Sequence, residues 1–540
     1  MNAEQTQHGG LSRRMAVVNG RVWTGTASRP WAEAVLIEGE RIAMVGASAE
    51  VMKRVRGAEV IDARGMFVAP GFIDAHIHFL AGGRGLSSVQ LRDASTPDEL
   101  VARIRDFAST RPEGSWIRNG DWDHERWGGE LPRRDWIDAA TPNHGVWINR
   151  LDGHMALANS VALRAAGVSR DTPDVPGGTI VRDEQGEPTG ILKDNAQTLI
   201  ARVAPPSSDA ELDAALDAAM RFVASHGVTS AHHMGSWDDL AVFARAHAAG
   251  RLTTRLYAAV PIDTWERLRE RVTTAGRGDE WLRIGALKGF VDGSLGSHTA
   301  AMFEPFDDAP DNRGLFVNTV EDLYTWTKAA DAAGLHLIVH AIGDLAIRTQ
   351  LDVYERVISE NGARDRRFRI EHAQHLSAPD VPRFPQLGVI ASMQPYHAID
   401  DGRWAERVIG AERAKLTYAV RSLLDAGARV AFGSDWHVAP PTPLEGIYAA
   451  VTRRTLDGKH PGGWIPEQRI GVEEALRAYT IDAAFASFQD SDKGTLERGK
   501  LADLVIVDRD ITRTAPEEIS QARVVTTVVG GTVVYDAAPA

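Results

Sequence analysis

The stretch SDAELDAALDAAMRFVASHGVTSAHHM (residues 208–234) decides the architecture. Ser208 and Glu211 stand in capping-box spacing at the head of an amphipathic run, and Gly227 is placed to end it. VTSAHHM follows at once as a short strand. A helix feeding directly into a strand is half of a parallel βα unit. The succession returns at TVEDLYTWTKAADAAG (319–334) and LHLIVHAIGD (335–344). Working outward, eight strand candidates emerge: VAPGFIDAHIHF, GVTSAHHM, TTRLYAAVP, RIGALKGFVDG, LHLIVHAIGD, FRIEHAQHL, GVIASMQP and ARVAFGSDW. Eight is the number that closes an α/β barrel of the (β/α)8 TIM-like kind. That places the barrel over residues 71–489. The segment from about 80 to 206, rich in Trp, Arg and Gly, fits none of these units and reads as an insertion after barrel strand 1. Insertions at the C-terminal face of such a barrel shape its active site.

Both ends have a different texture. Short strand-forming runs with turn signals fill residues 15–70 and return over 490–540, so one composite β-sandwich built from both termini is expected. Two separate β-caps are the alternative. Residues 1–14 are polar and read as a flexible tail.

Composition narrows the function. The chain has 540 residues, 44% of them hydrophobic, with a net charge of −13. That acidity argues against general nucleic-acid or anionic-membrane binding. There is no cysteine, which excludes disulfides, thiolate nucleophiles and Cys-ligated metals. No run approaches the ~20 apolar residues of a membrane span, and the N-terminus lacks a signal-peptide core. A cytoplasmic protein acting on a small molecule is the expectation. G-x-S-x-G, H-E-x-x-H and Walker A motifs are all missing, so serine-hydrolase and nucleotide chemistry find no support.

The chemistry-bearing groups gather at strand ends. His76 and His78 in DAHIH lie two apart, so both project from one strand face. LIVHAIGD supplies His340, RIEHAQ supplies His372 and FGSDW supplies Asp435, each where a strand gives way to a turn. Singly each has a bland reading: a core histidine, or an Asp capping the helix that begins near Pro440. Together those readings demand four coincidences at equivalent strand ends. Lys288, inside the apolar strand RIGALKGF, is costly to bury as an ammonium. Beside metal ions it is driven toward the neutral amine, which can take up carbon dioxide as a bridging carbamate. A salt bridge to Asp292 or Asp435 is the competing account.

PGFIDAHIHF, LKGFVDGSLGS, HAIGD, EHAQ and GSDW, in this order, resemble the amidohydrolase superfamily, most closely its YtcJ-like branch, which includes N-substituted formamide deformylases. GERIAMVG and LERGKLADLVIVD are similar to the sandwich of those enzymes, and GDWDHERW and NRLDGHMALANSVAL to their insertion. The resemblance implies that His76, His78 and Asp435 bind one divalent metal, commonly zinc, and that Lys288, if N6-carboxylated, bridges to a second held by His340 and His372; a single metal per chain is the alternative. It implies Asp435 as the catalytic base, a metal-activated hydroxide, and hydrolysis of an amide-type C–N bond in a small N-acyl or N-formyl amine. Carbamates, cyclic amides, esters, or a non-catalytic metal-binding scaffold are the alternatives, and a homodimer is common in relatives. Trp122, Arg150, Asp152, His154, Asp292 and His233 are the candidate substrate-binding residues, with Trp127 and Trp136 as further aromatic walls; that most of these Trp side chains are core of the insertion is the alternative. His233 stands where relatives often carry Asp.

Overall fold

A computed structural model describes residues 14–537; apart from Arg14, the expected tail lies outside the described residues. Eight parallel strands form one sheet: β1 (Phe72–Ile77), β2 (Val228–Met234), β3 (Arg255–Pro261), β4 (Leu282–Phe290), β5 (His336–Ala341), β6 (Arg369–His372), β7 (Ile390–Met393) and β8 (Val430–Phe432). They neighbour one another in chain order, as a singly wound barrel requires. Closure comes at the rim: Asp435 N donates to His76 O at 2.7 Å, and His78 N to Trp436 O at 2.7 Å. Gly433 makes that approach possible, since a Cβ there would lie 2.4 Å from His76 N.

The sequence cues act as physics expects. Ser208 Oγ accepts from Glu211 N at 3.3 Å while Glu211 Oε2 accepts from Ser208 N at 2.8 Å, a reciprocal cap on helix Asp209–Ser225. Gly227 follows with φ +81°, and a side chain there would also strike Val505.

The termini build two sheets. One has four strands, in the order Arg41–Gly46, Ala34–Glu38, Arg14–Val18, Glu59–Asp62; the other has six and mixes N-terminal strands with Leu504–Val507, Val524–Val529 and Thr532–Asp536. Met15, Val17, Val35 and Ile37 of the first pack against Val68, Leu504, Ile506 and Val528 of the second, the dry interior of a sandwich. The insertion has its own five-stranded sheet, from Trp116–Arg118 to Pro188–Asp194, over a core that holds Leu91, Ile117, Trp122 and Ile148. Among the described residues no helix is long and apolar enough to cross a membrane.

A buried ion pair joins barrel to sandwich. Arg255 on β3 meets Asp503 with Nε at 2.8 Å and Nη2 at 3.1 Å, both side chains almost without exposure. Truncating one partner strands a buried charge, so Asp503→Ala should cost about 3–5 kcal/mol. Urea denaturation checks this; a midpoint unchanged from the parent would reduce the pair to packing.

Candidate metal centre

The barrel interior below the site is polar. Arg369 and Glu371, two apart on β6, point inward together: Arg369 Nε donates to Glu371 Oε1 at 2.8 Å and Nη2 to Oε2 at 2.9 Å. The same guanidinium reaches His232 Nδ1 at 3.0 Å and Ser392 Oγ at 3.0 Å. Glu371 Oε2 in turn lies 2.5 Å from His76 Nδ1. Burial would raise the Glu371 carboxyl, but Arg369 and His76 outweigh it and hold it down to about 2. A permanent carboxylate therefore accepts a hydrogen bond from His76 Nδ1–H and leaves Nε2 as the ligand-bearing nitrogen.

Above this relay the donors converge. Asp435 Oδ1 lies 3.3 Å from His76 Nε2 and 3.2 Å from His78 Nε2. Lys288 Nζ is 3.5 Å from His76 Nε2, so its face of β4, shared with Ala286, is the interior one. The His372 ring centre stands 4.8 Å from that of His76 and 4.6 Å from that of His340. His372 Nδ1 lies 2.8 Å from Gln394 Oε1, whereas His340 Nε2 lies 3.0 Å from Gly293 O. Two donor triads share Asp435: His76, His78 and Asp435, and His372, His397 and Asp435, each set within 4.8 Å. His372 (φ +70°) and Asp435 (φ +61°) both hold left-handed backbone, a strained geometry that turns their side chains toward the others. Asp74 braces the junction, accepting from His76 N at 3.2 Å and Ser434 N at 2.9 Å.

Protonation suits metal binding. Burial pushes His78 down to about 4 and holds His340 and His372 well below the ordinary histidine range, so all three rings are neutral at pH 7. Asp435 Oδ1 is buried and has no hydrogen-bond partner among the described residues. A buried carboxylate oxygen left open beside two imidazole nitrogens fits a divalent cation, and the nitrogen–oxygen donor set suits zinc.

The substrate-binding candidates separate. Arg150, Asp152 and His154 line a narrow cavity of about 50 Å³ with His340, His372 and Asp435. Arg150 Nη1 meets Asp152 Oδ2 at 2.8 Å, and Ser294 and Ser297 donate to the same oxygen. Trp122 does not reach this cavity; it is fully buried in the insertion core, its Nε1 donating to Ile148 O. Trp127 and Trp136 pack on that core as well. His233 faces outward from β2, its ring 4.8 Å from Phe243 and its Nδ1 3.1 Å from Phe79 N. Asp292 stands behind His340, its carboxylate taken by the backbone N–H groups of Ala301, Ile342 and Gly343. His397, Asp400, Asp401 and Trp404 do line the cavity. PYHAIDDGRW (395–404), directly after β7, was the available signal.

The model of the amidohydrolase family matches residues 59–535. This chain belongs to the amidohydrolase family. It is 42% identical to "Protein LONG AFTER FAR-RED 3" of Arabidopsis thaliana over 98% of this chain and 93% of that one. "Putative amidohydrolase YtcJ" of Bacillus subtilis (strain 168) is 31% identical over 93% and 96%, and "N-substituted formamide deformylase" of Arthrobacter pascens 32% over 97% and 98%. A solved "uncharacterized metal-dependent hydrolase" from Pyrococcus horikoshii OT3 superposes with a TM-score of 0.77 at 28% identity, over 93% of this chain and 99% of that one. At this level the amidohydrolase is a metal-dependent hydrolase, as its strand-end motifs led one to expect.

Two predictions arise here. Glu371→Gln loses the anionic partner of His76 and should weaken metal binding about 10–100-fold in chelator competition; unchanged affinity would remove Glu371 from the centre. Burial pushes Asp401 up to about 7. Its folded pKa exceeds the unfolded one, so its contribution to stability is complete at low pH and is lost as pH rises through 7. Asp401→Asn can still accept from Tyr418 OH, which is 2.5 Å from Oδ2. The variant should therefore gain thermal stability relative to the parent on going from pH 5 to pH 8. A Tm difference independent of pH would contradict this.

Proposed function

We propose that this amidohydrolase cleaves the C–N bond of a small N-acyl or N-formyl amine, adding water to give the acid and the free amine. The observation that carries the reading is Asp435 Oδ1, buried, unpartnered and 3.2–3.3 Å from two imidazole nitrogens. His76, His78 and Asp435 would hold one divalent cation, and His372 with His397 or His340 a second. A bound cation lowers the pKa of water to about 7 and polarises a carbonyl. Asp435 takes the proton of the attacking water and passes it to the leaving nitrogen. Arg150, a buried cation in the same cavity, orients the substrate carbonyl.

A second cavity of about 310 Å³ opens beside His78 and Lys288, walled by Met234, Ile262, Phe290 and Trp326. Such walls suit an apolar amine substituent. The 32% identical formamide deformylase supports the acyl-amine class. Lys288, pushed down to about 8 by burial, is an amine disposed to lose its proton and combine with carbon dioxide as an anionic carbamate.

The test is amine release from a panel of N-formyl and N-acetyl amines by zinc-loaded protein. Release above the metal-free background, abolished by chelator, is expected. No release from any amide would overturn the reading, and turnover of esters or carbamates alone would move the reaction class.

A further inference from the structure

A separate cavity lies where the insertion meets the barrel, sharing no lining residue with the two described above. It holds about 450 Å³, within the range of small-ligand sites. Three arginines from three segments line it: Arg84 on the helix Phe79–Gly85, Arg111 after the helix Pro97–Ser109, and Arg118 on the strand Trp116–Arg118. Neighbouring arginines are neutralised, Arg103 by Asp93 and Glu99 and Arg245 by Asp209 and Asp213. Arg84, Arg111 and Arg118 have no ion pair among the described residues.

The single acid on the lining, Glu211, acts on Arg118 and Arg111 only through space and makes no ion pair with either. Glu211 Oε2 is spent on Ser208, accepting from N at 2.8 Å and from Oγ at 2.9 Å. Arg118 donates only to neutral groups, Pro205 O at 2.9 Å and Ser207 Oγ at 3.3 Å. Burial and the like charge of Arg84 lower the Arg118 pKa and outweigh the opposing pull of Glu211. Arg84 Nε is buried and without any hydrogen-bond partner. In a chain of net charge −13, three guanidinium groups that make no ion pair, around a cavity lined by one carboxylate, are held at a cost that an anion would offset. Guanidinium forks match the oxygens of phosphate and carboxylate alike. Phe107 and Trp116, on the same lining, offer an aromatic wall to whatever carries the anion.

We infer that Arg84, Arg111 and Arg118 form a binding site for a small organic polyanion, an oxyanion group borne on a compact apolar body, distinct from the metal centre. Phosphate esters and polycarboxylates share that chemistry. The test is calorimetric titration of the metal-loaded full-length chain with adenosine monophosphate, citrate and pyrophosphate at low ionic strength. Binding of at least one is expected: the ester alone marks a phosphate-ester site, citrate alone a carboxylate site, and pyrophosphate alone a site without use for the apolar wall. Arg118→Ala and Arg84→Ala should each weaken that binding tenfold or more. Arg111→Ala, at an exposed position where folding is not at risk, should weaken it severalfold. Arg105→Ala, a solvent-exposed arginine off the cavity, should leave it unchanged. No binding of any probe, or binding indifferent to the three cavity substitutions, overturns the site.

Discussion

Asp435→Asn should lower kcat by about 10²–10⁴-fold, the usual worth of a positioned general base, while the barrel stays folded. The substitution keeps shape and volume. It leaves the Asp435 N to His76 O bond that closes the barrel, because that bond is made by backbone. What it removes is charge. Burial acts to raise the Asp435 carboxyl, but His76, His78 and His372 outweigh it and hold it well below the ordinary carboxylate range. It is an anion throughout the neutral range, and an amide can neither balance a cation nor accept a proton there. The comparison requires kcat, metal content and circular dichroism on one preparation. A rate within about threefold of the parent, with metal retained, would remove Asp435 from proton transfer. Loss of metal together with rate would show ligation but leave the base unassigned, and added metal at saturation then isolates the kinetic part.

How far such a residue could be recognised from sequence depended on the kind of signal. The strands were legible as short apolar runs, most of them fed by a helix and followed by a turn. His76 and His78 were legible through two-residue spacing, and Asp435 through its place after β8. Direction was harder. In a buried parallel strand both faces are apolar, so nothing in TSAHHM distinguishes His232, which turns inward to Arg369, from His233, which packs on Phe243. Trp122 was open to two readings, wall or core: the insertion folds around its own sheet, and Trp122 lies in that core. Asp292 looked available until three backbone N–H groups were seen to claim it. Glu371 lay inside the quoted EHAQ, yet its work depends on Arg369 and His76, one two residues away and the other on a distant strand. His397 reaches the centre from a helix that follows β7, and strand-end reasoning does not extend to helices.

The remaining large effect concerns Lys288. Lys288→Ala should reduce the divalent metal content of the purified chain from about two ions to one or fewer, because a lysine carbamate would be the anionic bridge between the two donor triads that share Asp435. One carboxylate serving two cations and up to five imidazoles would leave the centre short of negative charge. Without a second anion, two divalent ions held by triads that share Asp435 would repel each other strongly in a medium of low polarity. Lys288 is placed to supply it: Nζ lies 3.5 Å from His76 Nε2, on the interior face of β4, and burial pushes its pKa down to about 8. Acetate or bicarbonate added to Lys288→Ala should restore part of the lost metal, since either returns a carboxylate to the space the side chain vacates. Intact-mass measurement under non-denaturing conditions should find one added carbon dioxide on the parent and none on the variant. Equal metal content in both chains would make Lys288 a buried amine balanced by Glu371 and Asp435, and the centre would then be mononuclear, with His372, His397 and His340 left to bind substrate and carry protons.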